Sequence, residues 1–130
     1  LPLARRFRHV VAVESAAGSV ALGRENAQRN AVDNVRFEID EVDHWLTRAE
    51  RARPDLVLLD PPRAGAGPEV VAALVALGAP RITYVSCDPA TLARDLRGLV
   101  DGGYELEDVV ALDLFPQTPH VETIATLVKR

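Results

Sequence analysis

Hydrophobic positions along the chain fall into two alternating rhythms. Short apolar or alternating runs at His9–Val13, Val35–Ile39, Leu56–Leu59 and Arg81–Val85 have the character of strands, and most of what lies between them carries apolar residues at helical spacing. Val20, Leu22, Ala27 and Ala31 mark a helix within Ala16–Ala31. Val42, Trp45, Leu46 and Ala49 mark another over Glu41–Arg53, which Pro54 stops. Further helices are expected over Pro68–Leu77 and from Pro89 to about Val100, the latter closed by Asp101-Gly102-Gly103. Leu1–Phe7 reads as the tail of a helix, while Tyr104–Phe115 and Val121–Val128 read as two more strands enclosing Pro116-Gln117-Thr118-Pro119-His120. Strands alternating with helices in this way predict an α/β fold with an open, mostly parallel sheet flanked by helices, and continuous apolar strands imply that both faces are covered.

The first four strands each end in a polar residue: Glu14, Asp40, Asp60 and the pair Ser86-Cys87. Ligands of such sheets sit beyond the carboxyl ends of the strands, so these residues share the rim where a site is expected. A carboxylate takes two hydrogen bonds in fixed geometry, which suits Glu14 to the two hydroxyls of a ribose. Asp40, one strand later, suits an adenine amino group, and Asp60 lies where the reactive end of a cofactor would meet its substrate. Each acid taken singly also reads as a solvated carboxylate or a helix cap; together they suggest a nucleoside cofactor. No GxGxxG turn occurs, and the chain starts after the place where such a turn would stand. S-adenosylmethionine, which has no phosphates and carries cationic sulfonium and amino groups, suits three acids better than NAD does.

Cys87 stands directly before a helix-start signal. Pro89 fits the first helical position, and Asp88 before it can cap the backbone N–H of Thr91. A thiol at such a junction faces amide donors and the positive end of a helix dipole, which favour the thiolate. A lone cysteine also has an ordinary reading as a small buried hydrophobe.

Composition narrows the classes. A length of 130 residues bounds the chain to one domain over 1–130, and 48% hydrophobic residues make it globular. No apolar run approaches the roughly 20 residues needed to span a bilayer, and the opening residues lack the order of a signal peptide, so a cytoplasmic location is expected. A single cysteine excludes an internal disulfide and a cysteine-based metal cluster within this chain, and no metal is expected. Met is absent even at position 1 and the first residues look like the inside of a helix, so the chain is expected to begin partway through a larger protein. The formal net charge of -4 argues against the broad basic surface of an autonomous nucleic-acid binder. Any grip on nucleic acid is local or lies elsewhere.

Three stretches carry a resemblance. Asp60-Pro61-Pro62-Arg63-Ala64-Gly65, then Tyr84-Val85-Ser86-Cys87 with Pro89-Ala90-Thr91-Leu92-Ala93-Arg94-Asp95-Leu96, then Leu112-Asp113-Leu114-Phe115-Pro116-Gln117-Thr118-Pro119-His120-Val121-Glu122, resemble in order and spacing the signatures of the RNA 5-methyluridine methyltransferases. The resemblance runs from Leu1 to the end. It implies a class I, Rossmann-like methyltransferase fold, S-adenosylmethionine as methyl donor, and a uridine in tRNA or rRNA as acceptor. It puts the family's nucleophile on Cys87 and its base on Glu122, and cofactor-binding acids on Glu14 and Asp60. Pro61, Pro62, Phe115 and Pro116 suit apolar walls for a flipped base, or simply stiff loops around a strand end. His120 invites a reading as a general base but better suits a structural part, orienting its loop or Glu122, and Arg63 suits a phosphate or a neighbouring acid.

The chain departs from the pattern at two places. Asp88 stands where the family commonly has Asn, and residues 1–130 are expected to lack the family's first strand, its glycine turn and an N-terminal RNA-binding domain. That strand would lie between the ones ending at Glu14 and Asp60, so two inner edges are expected to be open to self-association or to leave the fragment weakly stable. Two other readings compete. An amino-group methyltransferase would share the acidic-Pro-Pro turn of Asp60-Pro61-Pro62, although Arg63 occupies the place of its stacking aromatic; a non-catalytic fragment would keep only the fold.

Overall fold

The computed structural model describes residues 1–48, 53–114, 116–118 and 121–130. The chain divides into two compact units, Leu1–Trp45 and Leu46–Arg130.

The first unit begins with a short 3-10 helix, Pro2–Arg5, where the tail of a helix was expected over Leu1–Phe7. Two parallel strands follow, β1 (Val10–Glu14) and β2 (Val35–Ile39), joined through helix α1 (Ala17–Arg29). Val20 and Ala27 of α1 are buried. Asn34 ties the entry segment down, its side-chain amide donating to Ala4 O at 2.7 Å and Phe7 O at 2.9 Å. Helix α2 (Val42–Arg48) begins in this unit; the rest of the helix expected to Arg53 falls mostly on residues 49–52, outside the described residues.

The second unit is a four-stranded sheet in the order β3-β4-β6-β5, with β3 at Leu56–Leu59, β4 at Arg81–Ser86, β5 at Tyr104–Leu112 and β6 at Glu122–Lys129. Helix α3 (Gly67–Leu77) follows β3, and α4 (Pro89–Asp101) follows β4. The expected open, mostly parallel α/β sheet is present and is mixed at β6: β3 pairs β4 in parallel, and β6 runs antiparallel to both β4 and β5, so β3, β4 and β5 point one way and β6 the other. Residues 113–121 are too few for the crossover of about a dozen or more residues that a parallel connection requires, so β5 and β6 close as a hairpin.

Alternation along β4 and β6 buries Ile82, Tyr84, Ser86, Thr123, Ala125 and Leu127. Leu92, Asp95 and Leu99 line the buried stripe of α4, and Val71 and Leu74 that of α3. The phenol of Tyr104 donates to Ala79 O at 2.8 Å, which satisfies its one polar atom inside the core. β5 departs from the expected two-sided burial: it is an edge strand, and Val109 and Val110 remain 48% and 42% exposed. No helix among the described residues is long and apolar enough to cross a membrane.

Candidate functional site

The rim of the second unit follows from strand register. Leu59 pairs Tyr84 in parallel, so Asp60 and Cys87 follow the carboxyl ends of adjacent strands. β6 enters the same rim from the opposite direction. Ser86 lies opposite Thr123 in an antiparallel register, so Cys87, next after Ser86, and Glu122, next before Thr123 and paired with Leu112 of β5, fall at the same end of the sheet. Topology therefore brings Asp60, Cys87 and Glu122 to one edge of one sheet. Cys87 is a free, half-buried thiol, Glu122 is half-buried and Asp60 is exposed.

Both neighbours of Cys87 are fixed. Ser86 Oγ donates to Asp88 O at 3.0 Å and accepts from Asp88 N at 3.1 Å. The Asp88 carboxylate caps α4, accepting from the amides of Ala90 at 3.0 Å and Thr91 at 3.1 Å. The Thr91 amide bond, outweighing desolvation and helped by Ala90 and Arg63, holds the Asp88 carboxyl below the usual carboxylate range. The cap is the one expected from sequence. Its cost to the accompanying expectation is that these two amides are spent on Asp88 rather than left facing the thiol. Arg63 Nη2 lies 3.8 Å from Asp88 Oδ2, so of its two expected partners it takes the neighbouring acid.

Behind the rim, the loop after β3 is bound to α4. Asp95 is 2% exposed, and its Oδ2 accepts from the Tyr84 hydroxyl at 2.6 Å and from Ala66 N at 2.7 Å. Its Oδ1 accepts from Arg94 Nε at 3.0 Å and Nη2 at 2.9 Å. Arg94 Nη2 also donates to Ala64 O at 2.8 Å, and Thr91 Oγ1 donates to Arg63 O at 2.9 Å. Desolvation alone would raise the Asp95 carboxyl; the bonds from Tyr84, Arg94 and Ala66 outweigh it and hold the group below the usual range. Burial, then the bond to Asp95, pushes the Tyr84 phenol well up. The sequence motifs assign no role to this cluster. The available signal was a carboxylate between Leu92 and Leu99 on the apolar stripe of a helix.

In the first unit, Glu14 ends β1 opposite Ile39, and Asp40 follows at the end of β2, so these two acids share a rim of their own. Glu14 Oε1 accepts from Ala16 N at 2.8 Å, and its side chain is exposed. Asp40 Oδ1 accepts from Glu41 N at 3.0 Å and lies 2.8 Å from His44 Nδ1, so it works at the start of α2 in the manner of a cap. Both are carboxylates at strand ends and suit hydroxyl, amino or cationic groups rather than a phosphate. Of the expected apolar walls, Pro61 is half-buried and Pro62 and Pro116 are exposed, while Phe115 and His120 lie outside the described residues.

Residues 1–130 match the tRNA (Uracil-5-)-methyltransferase family. A 23S rRNA (uracil(1939)-C(5))-methyltransferase RlmD of Pseudomonas fluorescens is 53% identical over 127 residues, covering 96% of this chain and 28% of the relative. An uncharacterized RNA methyltransferase of Gloeobacter violaceus is 50% identical over 127 residues, covering 98% of this chain and 27% of that protein. The chain thus spans a little over a quarter of the length of these relatives. Among solved structures, the Pyrococcus abyssi tRNA (uracil-54, C5)-methyltransferase in complex with S-adenosyl-L-homocysteine superposes with a TM-score of 0.84 at 38% identity, over 98% of this chain and 30% of that one. NSun6 from Pyrococcus horikoshii, at 17% identity and a TM-score of 0.74 over 93% of this chain and 41% of that one, shares the fold alone. The α/β fold is that of the class I methyltransferases, and the chain belongs to the tRNA (Uracil-5-)-methyltransferase family.

Proposed function

We propose that this chain is part of the catalytic domain of an RNA uracil-C5 methyltransferase that uses S-adenosylmethionine, with Cys87 as nucleophile and Glu122 as base. The observation that supports the reading is the antiparallel register of Ser86 with Thr123, which puts their neighbours Cys87 and Glu122 at the same end of the sheet. C5 of uracil is a weak nucleophile. The Cys87 thiolate adds to C6, forming an S–C6 bond and moving the ring's electron pair toward C5 and O4. S-adenosylmethionine, when bound, supplies an electrophilic methyl group for C5. Glu122 then removes the C5 proton; that bond's electron pair restores the C5–C6 double bond as S–C6 breaks, and the thiolate is released. The uridine must leave its stack to reach a thiol on the rim.

The cofactor assignments follow from the donor set. Glu14 takes ribose hydroxyls, Asp40 the adenine amino group, and Asp60 a cationic group of the methyl donor. Among the described residues β1 and β3 each have one hydrogen-bonded neighbour, and their other edges are where a second copy would pair, which sedimentation over a range of concentrations tests. An amino-group methyltransferase is not favoured, because Arg63 holds Asp88 where a stacking aromatic would be required.

RNA carrying 5-fluorouridine, incubated with the full-length protein and S-adenosylmethionine, tests the mechanism. Fluorine cannot leave C5 as a proton, so a denaturation-resistant protein–RNA adduct should accumulate and vanish in Cys87→Ala. Absence of the adduct would remove the covalent route.

A further inference from the structure

The rim loop and the nucleophile stand on different elements, and one buried carboxylate holds both. Asp60 and the turn after it leave β3; the turn closes through Gly65 N donating to Pro62 O at 2.8 Å. Cys87 leaves β4 and leads directly into α4. Among the described residues the β3–β4 pairing ends at Leu59 and Tyr84, before the loop begins. Holding the loop against the helix falls to Asp95 and its partners. Tyr84, three residues before Cys87, donates to Asp95 Oδ2; Ala66 of the loop donates to the same oxygen; and Arg94, bound to Asp95 Oδ1, reaches Ala64 O. Thr91, in the first turn of α4, adds a bond to Arg63 O. Loop, strand and helix therefore meet at a single side chain that is 2% exposed and points away from solvent.

A carboxylate in such a place is costly unless every lone pair is used, and a well-packed apolar residue would serve stability as well or better. What an apolar residue could not do is bind one loop amide, one phenol and one guanidinium in fixed directions. Gly65 fits the same design: a Cβ there would lie 2.5 Å from Asp95 Oδ2, so the loop is drawn against the carboxylate as closely as a chain without a side chain permits.

We infer that Asp95 is a positioning residue for the methyl-transfer site, fixing the Asp60–Ala66 loop against the first turns of α4 and so setting where Asp60 stands relative to the Cys87 thiol. Asp95 touches neither substrate nor cofactor in this role. The inference rests on the reading of Cys87 and Asp60 given above. A displacement of about 1 Å between reacting groups can lower a rate on the order of 100-fold, which sets the size of effect to look for.

The experiment is a comparison of Asp95→Asn, Arg94→Gln and Cys87→Ala in the full-length protein, measured by steady-state methylation of RNA and by the single-turnover rate of adduct formation with 5-fluorouridine RNA. Asp95→Asn keeps size and shape and should lower kcat and the adduct rate about 10- to 100-fold with KM for RNA unchanged. Arg94→Gln, whose side chain is half exposed, should lower them about 3- to 10-fold in the same pattern. Wild-type kcat in Asp95→Asn, or a change in KM alone, overturns the inference. If Asp95→Asn does not fold, Arg94→Gln decides: reduced kcat at constant KM supports positioning, and wild-type kcat overturns it. An adduct that persists in Cys87→Ala shows instead that the underlying assignment of the nucleophile has failed, whatever Asp95 does.

Discussion

Cys87 and Glu122 leave the same end of the β4–β6 pair, because the two strands run antiparallel with Ser86 opposite Thr123. A parallel strand beside β4 would have brought its carboxyl end to this rim, and Glu122, the first residue of β6, would have lain at the far end of the sheet. The reversed entry of β6 is therefore what lets a nucleophile at the end of one strand meet a base at the beginning of another. It also divides the labour in space: the thiol precedes helix α4, and the carboxylate belongs to the first residue of β6.

Replacing Glu122 by Gln keeps the shape and removes the base. The protein should form the S–C6 adduct with ordinary RNA and S-adenosylmethionine but release it on the order of 100- to 10,000-fold more slowly, the range expected for loss of a positioned general base. Denaturing gels of the Glu122→Gln protein should then show a protein–RNA band that the wild type does not accumulate. Multiple turnover at the wild-type rate would assign the proton to another group.

Gly65 has φ +81, and an added Cβ would meet Asp95 Oδ2 at 2.5 Å and Arg94 Nη2 at 2.6 Å. Gly65→Ala should therefore lose about 1–3 kcal/mol from backbone strain before any displacement of the carboxylate is counted. Urea unfolding measures this directly. A midpoint equal to the wild type would mean that the loop relaxes without disturbing the Asp95 cluster.

The rim acids were legible in the sequence because each ends an apolar run, and α4 because Asp88-Pro89 announces it. What decided the second sheet's geometry was less visible. Nothing in the alternation of β5 and β6 states strand direction; only the shortness of 113–121 does, and that is a loop-length argument rather than a pattern. Asp40 illustrates the opposite limit. The same carboxylate at a strand end serves a ligand or the next helix, and its bonds to Glu41 N and His44 show the second use at work. The Asp95 cluster escaped because its partners are two backbone groups and a phenol spread from Ala64 to Tyr84, a set that only the packed loop assembles.

Tyr84 and Asp95 should give the protein opposite pH limits. The Tyr84 phenol is raised by burial first and by its bond to Asp95 second. Above about pH 10 the unfolded chain gives up this proton while the folded chain keeps it, so stability is fully present below that pH and falls as pH rises further. Tyr84→Phe should flatten this alkaline fall but not abolish it, since burial also raises Tyr104. At the acid end the sign reverses: Asp95 is held below its ordinary value, so its contribution is present above about pH 4 and is lost as pH falls through the lower folded value. Losing the phenol removes one of the carboxylate's donors, so Tyr84→Phe should lower stability at neutral pH by about 1.5–3 kcal/mol and bring the acid transition to higher pH. Urea midpoints from pH 3 to 11 for the two proteins check both limbs.

The packing of α3 against α4 offers a test of how the helix behind Cys87 is held. A Cβ at Gly102 would fall 2.3 Å from Val75 Cγ2 and 2.8 Å from Cγ1, both atoms of a β-branched side chain that has little rotamer freedom on a helix. Gly102→Ala should therefore push the end of α4 off α3 and cost about 1–3 kcal/mol, as overpacked cores do. Val75→Ala alone should cost something too, by leaving space. In the double variant the added methyl occupies room that the valine vacated, so the two losses should fall short of additive by about 0.5–3 kcal/mol. A cycle that closes additively would show that Gly102 and Val75 do not share the contact. If the single variant Gly102→Ala also keeps a wild-type adduct rate with 5-fluorouridine RNA, the distal end of α4 is energetically separate from its first turns, where Thr91, Arg94 and Asp95 hold the rim loop.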